Sequence, residues 1–529
     1  MLTTFSQWAR RAAAAFVAVT ASAALAACGG DELALPQLNN STKGGTLDIV
    51  AATELQELEP LIDAASQDLG FDITMTAPGG TLANSQALKR GEFDGQYDAT
   101  WFATNRYADI IGASGKLGSG ESIAHSPVVL GVQEAKAEEL GWLNKQPTWQ
   151  EISDAGLSFG MTDPTTSNSG FSALAAVATA FADTGRAFSA DDIPTAAPKI
   201  AEFFSHQSMT SGSSGWLADR FLDRRGSADA IINYESVLLG DRFAAGGVVP
   251  IIPVDGVISA DYPLTPLQTP KNADAAEKVR ELTEWFKEHS DDVARYHLRT
   301  DNSLDVSGVD TQAQLYELPY PGNQTAVALL QEAYSNDLRK PGTTAFVLDT
   351  SGSMEGQRME LLKSTMRSLV DGTAASSTGS VAFRNREHIE IVPFNSEVEP
   401  STGATVDSAN PDAISPLLER VEQLTPGGFT NIYDALQTAY AGIETGDGTI
   451  GSIVLMTDGE RTSGPDFNQF RVFYNDLTGD KRAIPTFVIL YGEANVAEMQ
   501  SLAELTGGKT FDALGGDLAQ AFEEIRAYQ

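Results

Sequence analysis

Three apolar runs of strand length place the tightest limit on what this chain can fold into: Ala345-Phe346-Val347-Leu348, Ile453-Val454-Leu455-Met456 and Phe487-Val488-Ile489-Leu490. A strand with no alternating polar positions must be covered on both faces, which is the condition of a central parallel strand. Helix-period stripes lie between the runs, at Met359, Leu362, Met366 and Leu369 and again at Ile432, Leu436, Tyr440 and Ile443. Spaced at three and four residues, they supply the covering faces and read as core. The expectation is a doubly wound, Rossmann-like α/β domain over residues 341–529, opened by the turn-forming Arg339-Lys340-Pro341-Gly342.

A second α/β pattern precedes it. Leu47–Ala51 reads as a buried strand, Leu55–Leu69 as an amphipathic helix and Phe71–Thr76 as another strand. Pro78-Gly79-Gly80-Thr81 then leads into a helix ending near Arg90. The apolar run at 126–132 is expected to carry the chain into a second lobe, and the proline-punctuated run at 248–254 to bring it back. Two crossings separated by a lobe-sized insertion imply two lobes and a cleft. This places a two-lobed domain at 46–317 and a linker with a helix at 318–340. No internal repeat is present.

Composition excludes several functions. A net charge of −36 with no basic stripe argues against nucleic acid, which needs concentrated positive charge. It argues equally against an electrostatic grip on anionic lipid. The single cysteine, Cys28, removes internal disulfides and thiolate metal cages. It follows a positive region, Arg10-Arg11, and an apolar stretch, Ala12–Leu25, too short to span a bilayer. With Leu25-Ala26-Ala27 before it, Cys28 resembles the lipobox of bacterial lipoproteins. That resemblance implies a signal peptide at 1–27, lipidation of Cys28 and a flexible tether at 28–45. The implied location is the cell membrane, reached through lipid alone and facing the extracellular or periplasmic side.

The chemistry concentrates where the last domain's strands end. Asp349-Thr350-Ser351-Gly352-Ser353 follows the first apolar run, Asp458 lies just past the second, and Thr430 stands before the second striped helix. Ligands of such sheets collect at the carboxyl ends of strands. Two carboxylates and three hydroxyls are hard oxygen donors, which suit Mg²⁺, Mn²⁺ or Ca²⁺ and not zinc. The Asp-x-Ser-x-Ser loop with a separate Thr and Asp resembles the metal-ion-dependent adhesion site of von Willebrand factor A (VWA) domains. The resemblance implies direct metal contact by Ser351, Ser353 and Thr430, with Asp349 and Asp458 holding the ion largely through water. Mg²⁺ is the cofactor expected first. An open coordination position would receive an acidic residue of a protein partner.

The landmarks Ser126-Pro127-Val128-Val129-Leu130, Met161–Gly170 and Asn233-Tyr234-Glu235-Ser236 resemble those of type 2 extracellular solute-binding proteins, so the first domain is expected to be periplasmic-binding-protein-like. Gly80 and Thr81 precede one helix and Ser167 and Ser169 another, and helix starts with free N–H groups favour anions. With Tyr234 as a further donor, these residues form the candidate cleft for a small anionic solute.

Other readings fail on the residues. A phosphoryl-accepting aspartate of the haloacid-dehalogenase type needs a second aspartate where Ser351 stands. Gly508-Lys509-Thr510 imitates the end of a phosphate loop, but it follows a helix pattern instead of opening one. The five histidines, His125, His206, His289, His297 and His388, show no metal spacing. No catalytic pair can be singled out, so a binding protein is expected and not an enzyme. The alternatives are the receptor of an ABC-type importer, with the VWA domain as an anchor, and a chaperone-like assembly role.

Overall fold

A computed structural model describes residues 44–529 except 224–227, 301–314, 374, 377–378, 381, 445–447, 493–494, 514–520, 523–524 and 527–529. The signal peptide, Cys28 and nearly all of the tether lie outside the described residues.

The first lobe is built on strand Thr46–Ala51, with Asp72–Thr76 and Ala99–Trp101 parallel on its two sides. Strand Pro263–Pro266 joins antiparallel beyond Ala99–Trp101. The second lobe's sheet runs from Ser126–Gln133 through Ala230–Tyr234 and Phe159–Thr162 to Gln207–Ser211. The run at 248–254 does not carry the chain back. Val248–Ile251 is a strand of the second lobe, antiparallel to Ser126–Gln133 at the edge. Pro250 and Pro253 lack the N–H that an inner strand must donate, so an edge is where such a run can sit. The return falls later, between Ser259–Ala260, still paired with Ser126 and Pro127, and Pro263–Pro266 in the first sheet. Tyr262, at that crossing, holds φ +37° and is fully buried. A bulky residue persists in such a conformation only where its surroundings over-determine it.

The linker belongs to the first core. Val327, Leu330, Tyr334 and Leu338 pack with the two-lobed domain's apolar cluster. Helix Gln324–Ala333 also bridges the lobes. Gln331 donates to the Pro164 carbonyl of the second lobe at 2.8 Å and hydrogen-bonds the Tyr107 hydroxyl of the first. Tyr320 does the same with its ring, which lies 5.3 Å from Phe171 and under the Arg106 guanidinium at 6.0 Å.

In the last domain the sheet order is Thr402–Thr405, His388–Phe394, Gly342–Asp349, Ile450–Thr457, Thr486–Leu490 and Thr510–Asp512, parallel except for the first strand. Alternation along the central strand divides the core as a doubly wound fold requires. Phe346 and Leu348 face helix Gln357–Val370, while Ala345 and Val347 face helix Ile432–Gly442. Both striped helices are thereby buried on their apolar sides.

A buried ion pair joins the domains. Arg384 Nη2 reaches Asp163 Oδ2 at 3.0 Å, and the Asp163 side chain is only 2% exposed. Burial pushes the Asp163 carboxyl up, but the charge of Arg384 and two hydrogen bonds from Thr165 hold it below the usual range. Next to it Tyr334 donates to Gln207 Oε1 at 2.8 Å, and Lys509 lies 5.3 Å over the Trp216 ring. Gly508 packs its α-carbon against the Thr486 carbonyl, which leaves no phosphate cradle in Gly508-Lys509-Thr510.

Candidate functional site

Asp349 ends the central strand, and its loop is tied down before any side chain acts. Thr350 donates to the Phe394 carbonyl of the neighbouring strand through both its N–H, at 2.7 Å, and its hydroxyl, at 2.9 Å. The Asp349 carboxylate is fully buried; it accepts from the Ser351 N–H at 2.8 Å and the Thr457 hydroxyl at 2.6 Å. Thr457 ends the next strand, so this bond sets Asp458 beside Asp349. Two reciprocal backbone bonds, Gly352 N–H to Gly428 O at 3.1 Å and Gly427 N–H to Thr350 O at 2.8 Å, bring in the segment that carries Thr430. Gly428 sits at φ +79°, and a Cβ there would lie 2.7 Å from Ser396 Oγ, so this turn requires glycine.

Of the five residues singled out in the sequence, Asp349, Ser351, Ser353 and Asp458 are linked by hydrogen bonds, directly or through Thr457 and Arg358, and the segment carrying Thr430 is bonded to their loop. Ser351 and Ser353 hydroxyls stand 3.0 Å apart. Thr430 is buried, its N–H donating to Thr462 Oγ1 at 2.8 Å. One nitrogen of Arg358 donates both to the Ser353 carbonyl, at 3.0 Å, and to Asp458 Oδ2, at 2.9 Å. Arg358 and Thr457 escaped sequence reasoning. Arg358 is a cation and Thr457 is engaged with Asp349, and only the folded loops show what they orient.

This arrangement fits a hard divalent cation. Asp458 Oδ1 is buried without any hydrogen-bond partner, an expensive condition that native proteins rarely leave unanswered. Burial pushes the Asp349 carboxyl up to about 6; hydrogen bonds from Thr457 and Ser351 oppose this, and the nearby Asp458 charge reinforces it. Two repelling carboxylates, one with an orphaned oxygen, and a pair of adjacent hydroxyls offer the oxygen set that Mg²⁺ or Mn²⁺ takes. Among the described residues no three His, Cys, Asp or Glu side chains gather in a metal-holding group, so this hydroxyl-rich cluster is a different kind of site.

The cleft residues also meet, at a closed contact between the lobes. Gly80 lies against the second lobe so tightly that a Cβ would stand 2.4 Å from the Thr166 carbonyl and 2.8 Å from that of Gly212. The helix-start amide of Ala83 donates to Thr166 O at 3.0 Å. Thr81 Oγ1 accepts from the Ala103 N–H within its own lobe, and Ser169 Oγ pairs with Thr162 Oγ1 at 2.9 Å and Ser167 Oγ at 3.2 Å. Tyr234, fully buried, accepts from Asn168 Nδ2 at 3.1 Å. Sequence reasoning missed Glu54, which follows the first strand and receives Ser214 of the other lobe at 2.6 Å and Tyr262 at 3.3 Å. Burial pushes its carboxyl up, against the hydrogen bonds from Ser214 and Tyr262. Beside it a cavity of about 10 Å³, lined in part by Glu54, Glu57, Ser236 and Tyr262, has room for about one water.

A pair of lobes joined by two crossings, followed by a doubly wound domain with a loop site at its carboxyl edge, is the architecture of a binding protein fused to a VWA-type domain. Comparison with known families agrees: residues 47–281 match the family model of bacterial extracellular solute-binding proteins, and residues 344–460 match that of the von Willebrand factor type A domain. The chain thus carries a solute-binding-like domain and a VWA domain. An uncharacterised protein of Synechocystis is 31% identical over 169 residues, 32% of this chain and 34% of that protein. Human inter-alpha-trypsin inhibitor heavy chain H2 is 25% identical over 131 residues, 23% of this chain and 13% of its own length. The chain therefore spans about a third of the first curated relative, 34%, and less of the second. Among solved structures, the periplasmic binding protein AfuA of Actinobacillus pleuropneumoniae aligns at 14% identity and TM-score 0.46, over 56% of this chain and 99% of that one. A VWA domain from Catenulispora acidiphila aligns at 18% identity and TM-score 0.29, over 36% and 42%.

Proposed function

We propose that the protein is a lipid-anchored binding protein of the cell surface whose VWA domain grips a partner protein through a divalent metal. In this reading the solute-binding-like domain serves as sensor or scaffold, and the protein is not an enzyme. The observation that carries it is the orphaned Asp458 Oδ1, buried beside Asp349 and the Ser351–Ser353 pair. Ser351, Ser353 and Thr430 would hold Mg²⁺ directly, with Asp349 and Asp458 behind them. When bound, the ion supplies a positive centre that attracts a carboxylate from the partner. The residues around it keep the hydroxyls aimed and, through Arg358, hold Asp458 in place. Attachment through Cys28 supports a position outside the cytoplasm, as does the extracellular description of the matched family. No helix among the described residues is long and apolar enough to cross a membrane.

Thermal unfolding of the full chain tests this directly. Mg²⁺ or Mn²⁺ should raise the transition of the VWA domain, and Asp349→Ala should abolish the rise. A wild-type protein indifferent to both ions, or a variant that still responds, would remove the metal reading.

The family match at 47–281 favours a second reading, a solute receptor, with an ABC-type importer as its user. A small anion at the helix starts of Gly80–Thr81 and Ser167–Ser169 requires Glu54 to be protonated or turned away, because an ionised carboxylate would repel it. Titration with oxyanions, amino acids and sugars, followed by tryptophan fluorescence, decides: all six tryptophans precede the VWA domain. An unchanged signal across that panel would leave the domain a scaffold.

A further inference from the structure

We propose that the metal face of the VWA domain docks a partner segment in which a single carboxylate stands next to a large apolar side chain, and that Phe429 is the anchor for that apolar group; this rests on the metal-dependent reading above. Phe429 is 64% exposed, whereas Thr430 beside it is 2% exposed. The backbone forces this contrast. Gly428 in the left-handed region turns the chain, the Phe429 N–H is held by Ser396 Oγ at 2.8 Å, and the Asn431 N–H by the Asn395 carbonyl at 2.9 Å. Leaving a phenylalanine largely in water forfeits most of the gain from burying it. A ring presented on a fixed loop recovers that on binding without the entropy cost of ordering a mobile one. Rigid aromatic anchors at the centre of a contact are where binding energy concentrates.

Charge selects the rest of the partner. The cation site and the half-exposed Arg358 attract one carboxylate. Around them Glu355 and Glu460 are exposed, and the chain's net charge is −36, so a polyacidic stretch would be repelled. The fitting segment therefore carries an isolated acid flanked by an apolar residue. Of the other large exposed apolar residues described in this domain, Val472 sits inside helix Phe467–Asp476 and Val496 is the first residue of helix Val496–Thr506.

Selection of displayed random heptapeptides on the immobilised full chain in Mg²⁺ tests the proposal. The expected outcome is enrichment of peptides with one Asp or Glu beside a Leu, Ile, Met or Phe, lost on chelation. Phe429→Ala should weaken a selected peptide by about ten-fold. Phe429→Leu should keep it within a few-fold, and Val472→Ser should leave it unchanged. Metal-dependent enrichment of acidic peptides without an apolar neighbour, or equal binding to Phe429→Ala, overturns the role of Phe429 and leaves the metal reading standing. Absence of metal-dependent enrichment together with absence of Mg²⁺ stabilisation overturns both.

Discussion

At the contact between the two lobes, the two surfaces close on each other through direct hydrogen bonds; at the carboxyl edge of the VWA sheet, a buried carboxylate oxygen stands unpaired and a phenylalanine ring faces solvent. Ala83 N–H meets Thr166 O, Ser214 meets Glu54, and Gln331 ties both lobes from the linker. Across the other region, Asp458 Oδ1 has no partner and Phe429 faces solvent on a pinned loop. Both regions hold buried polar atoms without a partner, Asn168 Oδ1, Ser213 Oγ and Asp261 Oδ1 in the first and Asp458 Oδ1 in the second; the second adds to its orphaned carboxylate oxygen the buried Asp349 carboxyl and the Ser351–Ser353 hydroxyl pair. A site prepared for a ligand is recognised by what its own fold leaves unsatisfied, provided the groups cannot relax away.

That contrast can be broken at several points. The largest effect is expected from Arg384→Ala, which leaves the buried Asp163 only the charge of Arg339; loss of one partner of such a pair costs up to about 3–5 kcal/mol. Urea unfolding of the full chain measures it, and a loss within error would show that the domains do not depend on this pair. Gly80→Val should cost roughly 1–3 kcal/mol, because its side chain must displace the Thr166 and Gly212 carbonyls or part the lobes. An increased radius of gyration in solution scattering would separate parting from local strain. If the variant is as stable and compact as wild type, the lobe contact is looser than described.

Smaller effects sharpen the other side. Arg358 is partly exposed, so its pair with Asp458 is worth about 0.2–1 kcal/mol. Arg358→Gln should therefore weaken Mg²⁺ binding by no more than a few-fold, since Asp458 loses the group that orients it; tighter binding would instead make Arg358 chiefly a competing cation. The pH response of the domain junction follows from the lowered Asp163 value. A carboxyl depressed in the folded state contributes stability above its unfolded value of about 3.9 and loses it as pH falls through the lower folded value. The stability gap between wild type and Arg384→Ala should thus be full at neutral pH and shrink as pH falls, starting where the buried Asp163 of the variant, no longer held down by Arg384, takes up a proton. A gap that stays constant from neutral pH down to about pH 3 would implicate another group. The smallest change is expected from Phe429→Ala, within about 0.5 kcal/mol in metal-free unfolding, as a surface residue without buried contacts should behave.

Much of this was legible from residue order. Apolar runs such as Ala345–Leu348 and the stripes at Met359 and Ile432 encode local demands for two-sided burial, and the folded sheet meets them. Spacing within Asp349–Ser353 placed its oxygens at a strand end because the loop is only a few residues long. The 248–254 run was misread as a crossing because apolar content says that a strand exists and not which neighbour it pairs with. Proline carried the missing signal, in favour of an edge. Glu54 and Tyr262 were invisible for a further reason: they meet from positions 208 apart, and nothing local marks either.

The order of amino acids by itself determined the element types, the two α/β cores and the oxygen chemistry of the metal loop, since each follows from backbone geometry and burial over a short stretch. Only the tertiary structure decided that the linker ties both lobes, that Arg384 reaches Asp163, that Arg358 holds Asp458, and that Phe429 is left outside. Those are contacts between segments far apart in the chain, and their energies exist only once packing has fixed which surfaces touch and which remain in water.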